Sequence, residues 1–175
     1  MQKFASALLN KKIFCFHSGR SIANVSGYIV DKSKLEIVLL EVVTLDKNEK
    51  RYVLTSDIRT IANNLVIINS EEDIVEADEL VRYSDTIKEN YKITGSKVVN
   101  QERKKLGSVS DFTIDYENFK LSKLYVKTNI LRRLIRTDLI VDREQIIDIK
   151  DKTIIVKSTA VKTKETQNKL LQVKA

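Results

Sequence analysis

The chain has 175 residues and a mass of 20.1 kDa, enough for one ordinary domain or two small ones. Its 42% hydrophobic and 31% charged residues exclude a largely disordered chain, and a single Cys with a single His excludes both an intramolecular disulfide framework and a closed Cys/His zinc site. The net charge of +7 is unevenly spread: residues 1–84 carry 11 Lys+Arg against 12 Asp+Glu, residues 85–175 carry 20 against 12, and only the second half offers a strong basic field.

In chain order, the opening MQKFASALLNKK sets Lys3 before an apolar run at 4–9. That run is shorter than a signal-peptide core, and Asn10-Lys11-Lys12 closes it without a small-residue cleavage site. Cys15 and His17 lie two apart, which on a strand places both on one face. With no orienting carboxylate and no further ligands, they read as a half-buried Cys and an ordinary strand His. Gly27 and Gly107 lack the spacing of a phosphate loop and read as turn or close-packing glycines.

Residues 28–42, YIVDKSKLEIVLLEV, read as two strands about a polar turn at 31–34, and 57–68 as a second hairpin turning at Asn63-Asn64. The longest apolar stretch, 35–45, is interrupted by Glu36 and Glu41; no segment reaches the ~18 apolar residues of a spanning helix, so a soluble cytoplasmic protein is expected. Residues 71–92 begin acidic, and Val75, Leu80, Ser84 and Ile87 then follow a loose spacing of three to four that predicts a connecting helix.

The second half repeats the β pattern: strands over 93–115, a polar turn at 115–118, and a closing hairpin over 138–156 that turns at Asp151-Lys152. Asp31, Asp111 and Asp115 have no His, Arg or second carboxylate at the spacing acid–base chemistry needs, and read as turn or solvated residues. Between the strands, 127–137 holds Lys127, Arg132, Arg133 and Arg136, four large apolar residues and no acid. Such a basic amphipathic segment suits an acidic protein, an anionic membrane surface or RNA phosphates; the alternative is that its apolar side chains cap the barrel or the interface between the two copies and leave the arginines in water. The tail 157–175 carries five Lys and one Glu and reads as a solvated arm or short helix.

The halves also align with each other. At an offset of 84, Asp31 falls on Asp115, Leu35 on Phe119, Ile37 on Leu121, Leu40 on Leu124 and Val42 on Val126. At an offset of 88, DIRTIANNLVII (57–68) falls on QIIDIKDKTIIV (145–156), with Ile61 and Ile149 expected in equivalent buried positions; at 76, residues 18–22 fall on 94–98. Three ordered blocks indicate a tandem duplication. Short strands in copies of this size cannot form a two-layer sandwich, so the expected fold is mainly β, each copy rolled into a small closed barrel without open edges. The expected division is a first, degenerate barrel at 1–70, an acidic helical linker at 71–92, a second barrel at 93–157 and a basic tail at 158–175.

The second copy, with ITGSKVVNQERKKLGSVSDFTID (93–115) and DLIVDREQIIDIKDKTIIV (138–156), resembles the PRC-barrel family, whose pattern is a Gly-Lys-x-Val opening strand, a Leu-Gly-x-Val-x-Asp turn and a closing Ile-rich block. Gly95, Leu106, Gly107, Val109 and Asp111 carry the likeness; the first copy has Ala23 and Asn24 near the place of the Leu-Gly pair. The family includes the cytoplasmic domain of the photosynthetic reaction centre H subunit, the C-terminal domain of the ribosome maturation factor RimM and stand-alone proteins of sporulating bacteria, and the second copy is most similar to the stand-alone type. The resemblance implies two tandem PRC-type barrels used for binding, with no catalytic residues.

The expectation is therefore a bacterial, non-catalytic adaptor that docks onto another protein, with no catalytic, cofactor or metal residues and no small-molecule substrate. Lys127, Arg132, Arg133 and Arg136 are its candidate partner-binding residues. A ribosome-assembly role through the basic second copy and a membrane-surface role are the alternatives.

Overall fold

The computed structural model describes residues 1–128 and 138–158, together with the backbone of Lys162 and Thr163. These form two compact units: Met1–Tyr91 with Asp115–Lys120, and Lys92–Ile114 with Leu121–Ala175. The described residues are mainly strand, with one short α-helix.

The first unit holds β1 (Gln2–Phe4), β2 (Lys12–Cys15), β3 (Arg20–Asp31), β4 (Glu36–Thr44), β5 (Lys50–Leu54), β6 (Ile58–Ala62), β7 (Leu65–Ile68) and β8 (Ile74–Val75). Strands β2 to β8 are paired in the order β6-β7-β2-β3-β4-β5-β8. All neighbours are antiparallel except β2 and β7, which run parallel, with Ile13 opposite Val66 and Cys15 opposite Ile68. Alternation sends Ile13, Val25, Leu40, Val42, Val53 and Val66 inward, all at 1% exposure or less.

The outer face of this sheet is also covered. Leu80 is buried against Ile29, Val38, Leu39 and Tyr52, and Val75, Tyr83 and Ile87 pack around that cluster. Residues 71–91 are thus part of the unit, and a continuous connecting helix does not form. Their only α-helix is α1 (Ser84–Glu89), with 3-10 turns before it at Glu71–Asp73 and Val81–Tyr83. The local backbone explains the interruption: Leu80 sits at ψ 49 and Tyr83 at ψ 5, outside helical geometry, and Asn90 closes α1 in the left-handed region at φ 43.

The second unit holds β9 (Lys97–Asn100), β10 (Lys105–Asp115), β11 (Leu121–Lys127), β12 (Asp138–Asp142), β13 (Ile146–Lys150), β14 (Thr153–Val156) and β15 (Lys162–Thr163). Its order is β13-β14-β9-β10-β11-β12-β15, with β14 and β9 parallel. Val98, Phe112, Ile114, Leu124, Val126 and Ile154 form its core, all at 1% exposure or less. Within the tail, Lys162 and Thr163 pair with β12 as a strand where a solvated arm or helix was expected.

Position by position the two strand orders are the same. Irregularities recur too: β3 shifts register between Val25 and Gly27 and between Ile29 and Val30, and β10 between Val109 and Asp111 and between Thr113 and Ile114, all four at the offset of 84. The block at offset 76 does not correspond. The strand running parallel to the last hairpin is Lys97–Asn100 in one sheet and Lys12–Cys15 in the other, whereas 18–22 lie in the turn before β3 and at its start. Ile61 and Ile149 take equivalent places opposite Val66 and Ile154, but both are half-buried where burial was expected, since each lies on an edge strand.

Neither sheet is a closed barrel. No ladder joins β6 to β8 or β13 to β15 among the described residues, so each sheet keeps two edges. Those edges are guarded by brevity and by bulges, between Ile58 and Thr60 on β6 and between Ile146 and Asp148 on β13. Among the described residues, no helix is long and apolar enough to cross a membrane.

Candidate interaction surface

The basic segment 127–137 lies between β11 and β12. Its first residue, Lys127, is described; Arg132, Arg133 and Arg136 lie outside the described residues. Lys127 ends β11 opposite Asp138, the first residue of β12, so the ladder clamps both ends of the segment at one point. In the first sheet the same connection is short: Val43 pairs with Lys50, and the Thr44 N–H donates to the Glu49 carbonyl at 3.0 Å. The connection between β11 and β12 is therefore longer in sequence, and basic, where the first sheet makes a tight turn.

Lys127 is held by its backbone. A Cβ placed on Gly107 would stand 2.2 Å from the Lys127 carbonyl oxygen. Only glycine lets β10 approach β11 this closely, the reason for Gly in the Leu-Gly pair. Gly27 is confined by a side chain instead: its added Cβ would meet Glu41 Oε2 at 2.2 Å. Glu41 is buried on that face and pairs with Lys50 Nζ at 2.6 Å. The hydrogen bond to Glu41, with its charge, raises the Lys50 pKa against the opposing effect of burial.

Sequence reasoning passed over one neighbour of Lys127. Pairing places Thr153, Lys97, Ser108, Lys127 and Asp138 in a single row across five adjacent strands. Residues in such a row project from the same face. Lys97 and Lys127 are both exposed, and among the described residues neither ammonium meets a carboxylate. Lys97 lies in the opening segment Gly95-Ser96-Lys97-Val98, and only strand pairing reveals that it faces the same side as Lys127.

The other residues singled out from sequence do not assemble a reactive centre. Cys15 is buried at the end of β2, its Sγ donating to the Asn69 carbonyl at 3.6 Å, while His17 is exposed in the following turn, so the two do not share a strand face. Asp31 closes the β3–β4 turn. It accepts from the Ser33 N–H at 2.9 Å, the Ser33 hydroxyl at 2.6 Å and the Lys34 N–H at 3.3 Å. Burial pushes its carboxyl up, but these hydrogen bonds outweigh that and hold it below its ordinary value. Asp115 does the same in the β10–β11 turn by accepting from the Glu117 N–H at 3.2 Å.

A groove of about 350 Å³ in the first unit is lined by Arg20, Thr44, Asp46, Arg51, Glu71 and Ile74, among others. Its arginines are already engaged, Arg20 with Glu71 at 3.1 Å and Arg51 with Glu49 at 2.6 Å and Glu76 at 2.7 Å. Among the described residues no group of three or more His, Cys, Asp or Glu side chains could hold a metal ion.

Comparison with known proteins places a PRC-barrel domain at residues 85–162. That match covers β9 to β14 and the Lys97–Ser108–Lys127 row. No curated protein matches the chain.

Proposed function

We propose that this protein is a cytoplasmic, non-catalytic adaptor that docks onto another protein through its second, PRC-type unit, with Lys127, Arg132, Arg133 and Arg136 in the contact. The observation that carries the reading is the ladder closing at Lys127 and Asp138, which ties both ends of the basic segment 127–137 to the PRC-matched sheet at a place where the first sheet has a short turn. Small sheets of this kind fill their interior with their own side chains, so recognition falls to the outside. The shared strand order supports a further part of the reading: the first unit is a divergent second copy of the same fold, its Gly27 and Glu41 occupying the positions of Asp111 and Tyr125. The resemblance to RimM keeps ribosome assembly as the rival role, and the basic loop keeps a membrane-surface role.

Affinity capture with the tagged full chain tests this proposal together with sedimentation and vesicle assays. An adaptor retains one dominant stoichiometric protein partner and associates with neither ribosomal precursors nor vesicles. Co-sedimentation with small-subunit precursors that is lost at raised salt, or binding to anionic but not neutral vesicles, would replace the adaptor by one of its rivals.

A further inference from the structure

Resting on the adaptor reading, we propose that the partner segment is a short acidic peptide lying across the row Lys97–Ser108–Lys127. The two ammonium groups stand on strands separated only by β10, so their Cα atoms are about 10 Å apart at the ordinary spacing of adjacent strands. The Ser108 hydroxyl lies between them, and Thr153 extends the row beyond Lys97. Together they form a line of donors suited to carboxylate oxygens.

The equivalent row of the first sheet runs Leu65, Lys12, Asn24, Val43 and Lys50. There Val43 stands in the place of Lys127, and Lys50 is consumed by Glu41 at 2.6 Å. The paired cations are thus a property of the second sheet alone.

The surroundings limit how long an anion can be. On the same face, Asp111 sits opposite Tyr125, Asp142 sits opposite Lys123 with an ion pair of 3.8 Å, and Asp138 ends the lysine row. A nucleic-acid backbone spreading over this face would meet those three carboxylates, whereas a short acidic segment confined to one row avoids Asp111 and Asp142. Charge complementarity therefore selects an acidic peptide over RNA.

The test is fluorescence anisotropy of the full chain with two labelled probes, a Glu-Ser repeat peptide and an oligouridylate of equal charge. Lys97→Gln, Lys127→Gln and their double variant are compared with Lys12→Gln in the first unit, with circular dichroism confirming that each folds. The expected result is preference for the peptide, a loss of roughly three- to tenfold in affinity for the double variant, a smaller loss for each single one and none for Lys12→Gln. Failure to bind the peptide, equal losses for Lys12→Gln and the double variant, or preference for the oligouridylate overturns the inference. The adaptor proposal is decided separately, by the partner capture.

Discussion

At the scale of single residues, two glycines show how side-chain size is set by what lies opposite. Gly27 faces a carboxylate that could shift, while Gly107 faces the backbone carbonyl of Lys127, which the ladder holds in place. Ala23 takes the place of Gly107 in the first sheet, being opposite Ile13 as Gly107 is opposite Val98, and is itself buried. Replacing Gly107 by Ala should therefore separate β10 from β11 at the root of the basic loop and destabilise the fold by about 1–3 kcal/mol, the range for forcing one extra methyl into a packed site. Denaturant unfolding reads the difference. A neutral outcome would mean that β11 can retreat freely and that Lys127 is not fixed by its neighbour.

The clearest sequence-to-structure correspondence at the scale of elements is the turn between the two central strands. The pairing of Asp31 with Asp115 and Leu35 with Phe119 coincides with a shared conformation. Each Asp accepts from the N–H two residues on, and Leu35 and Phe119 both adopt the left-handed region, at φ 54 and φ 56. Polar turn residues between apolar runs reveal where such a turn falls. They do not reveal that a large apolar residue takes the left-handed position, because its cost is met by surrounding contacts such as the Phe119 carbonyl accepting from the Ile37 N–H at 3.0 Å.

The Asp31 turn carries a pH signature. Its carboxyl has a folded-state pKa below the ordinary 3.8, so its contribution is complete above that value and disappears as pH falls through the lower folded value. Asp31→Asn should cost about 1 kcal/mol at neutral pH, and the gap from wild type should close in acid well below pH 3.8. A gap unchanged by acid would show that the carboxylate charge contributes nothing to the turn.

Other elements were less legible. The spacing of Val75, Leu80, Ser84 and Ile87 reads as helical, yet Val75, Leu80 and Ile87 reach one apolar face from a strand, a loop and α1 in succession. Tertiary burial against Ile29 and Leu39 satisfied the same pattern without a continuous helix. The offset of 76 rests on a shared Gly and β-branched residues; the parallel ladders, long-range pairings invisible to local pattern, make Lys97–Asn100 the counterpart of Lys12–Cys15 instead. Lys97 was missed for the same reason, since nothing in local spacing aligns it with Lys127.

At the scale of the whole molecule, charge divides more sharply than fold. Two sheets of one strand order differ in charge: in the first, Lys50 and Arg20 are held in ion pairs with Glu41 and Glu71, while the second leaves Lys97 and Lys127 exposed in one row. Docking through the second unit, by an electrostatic contact, is the proposed consequence. The measurement that tests it most directly is the affinity of the captured partner at two salt concentrations, for wild type and for a variant with Lys127, Arg132, Arg133 and Arg136 all replaced by Gln. The account predicts weaker binding with a flatter salt dependence and nearly unchanged melting, because surface charges contribute little to stability. Unchanged affinity and slope would contradict it, and a large fall in melting temperature would assign the loop to capping the sheet.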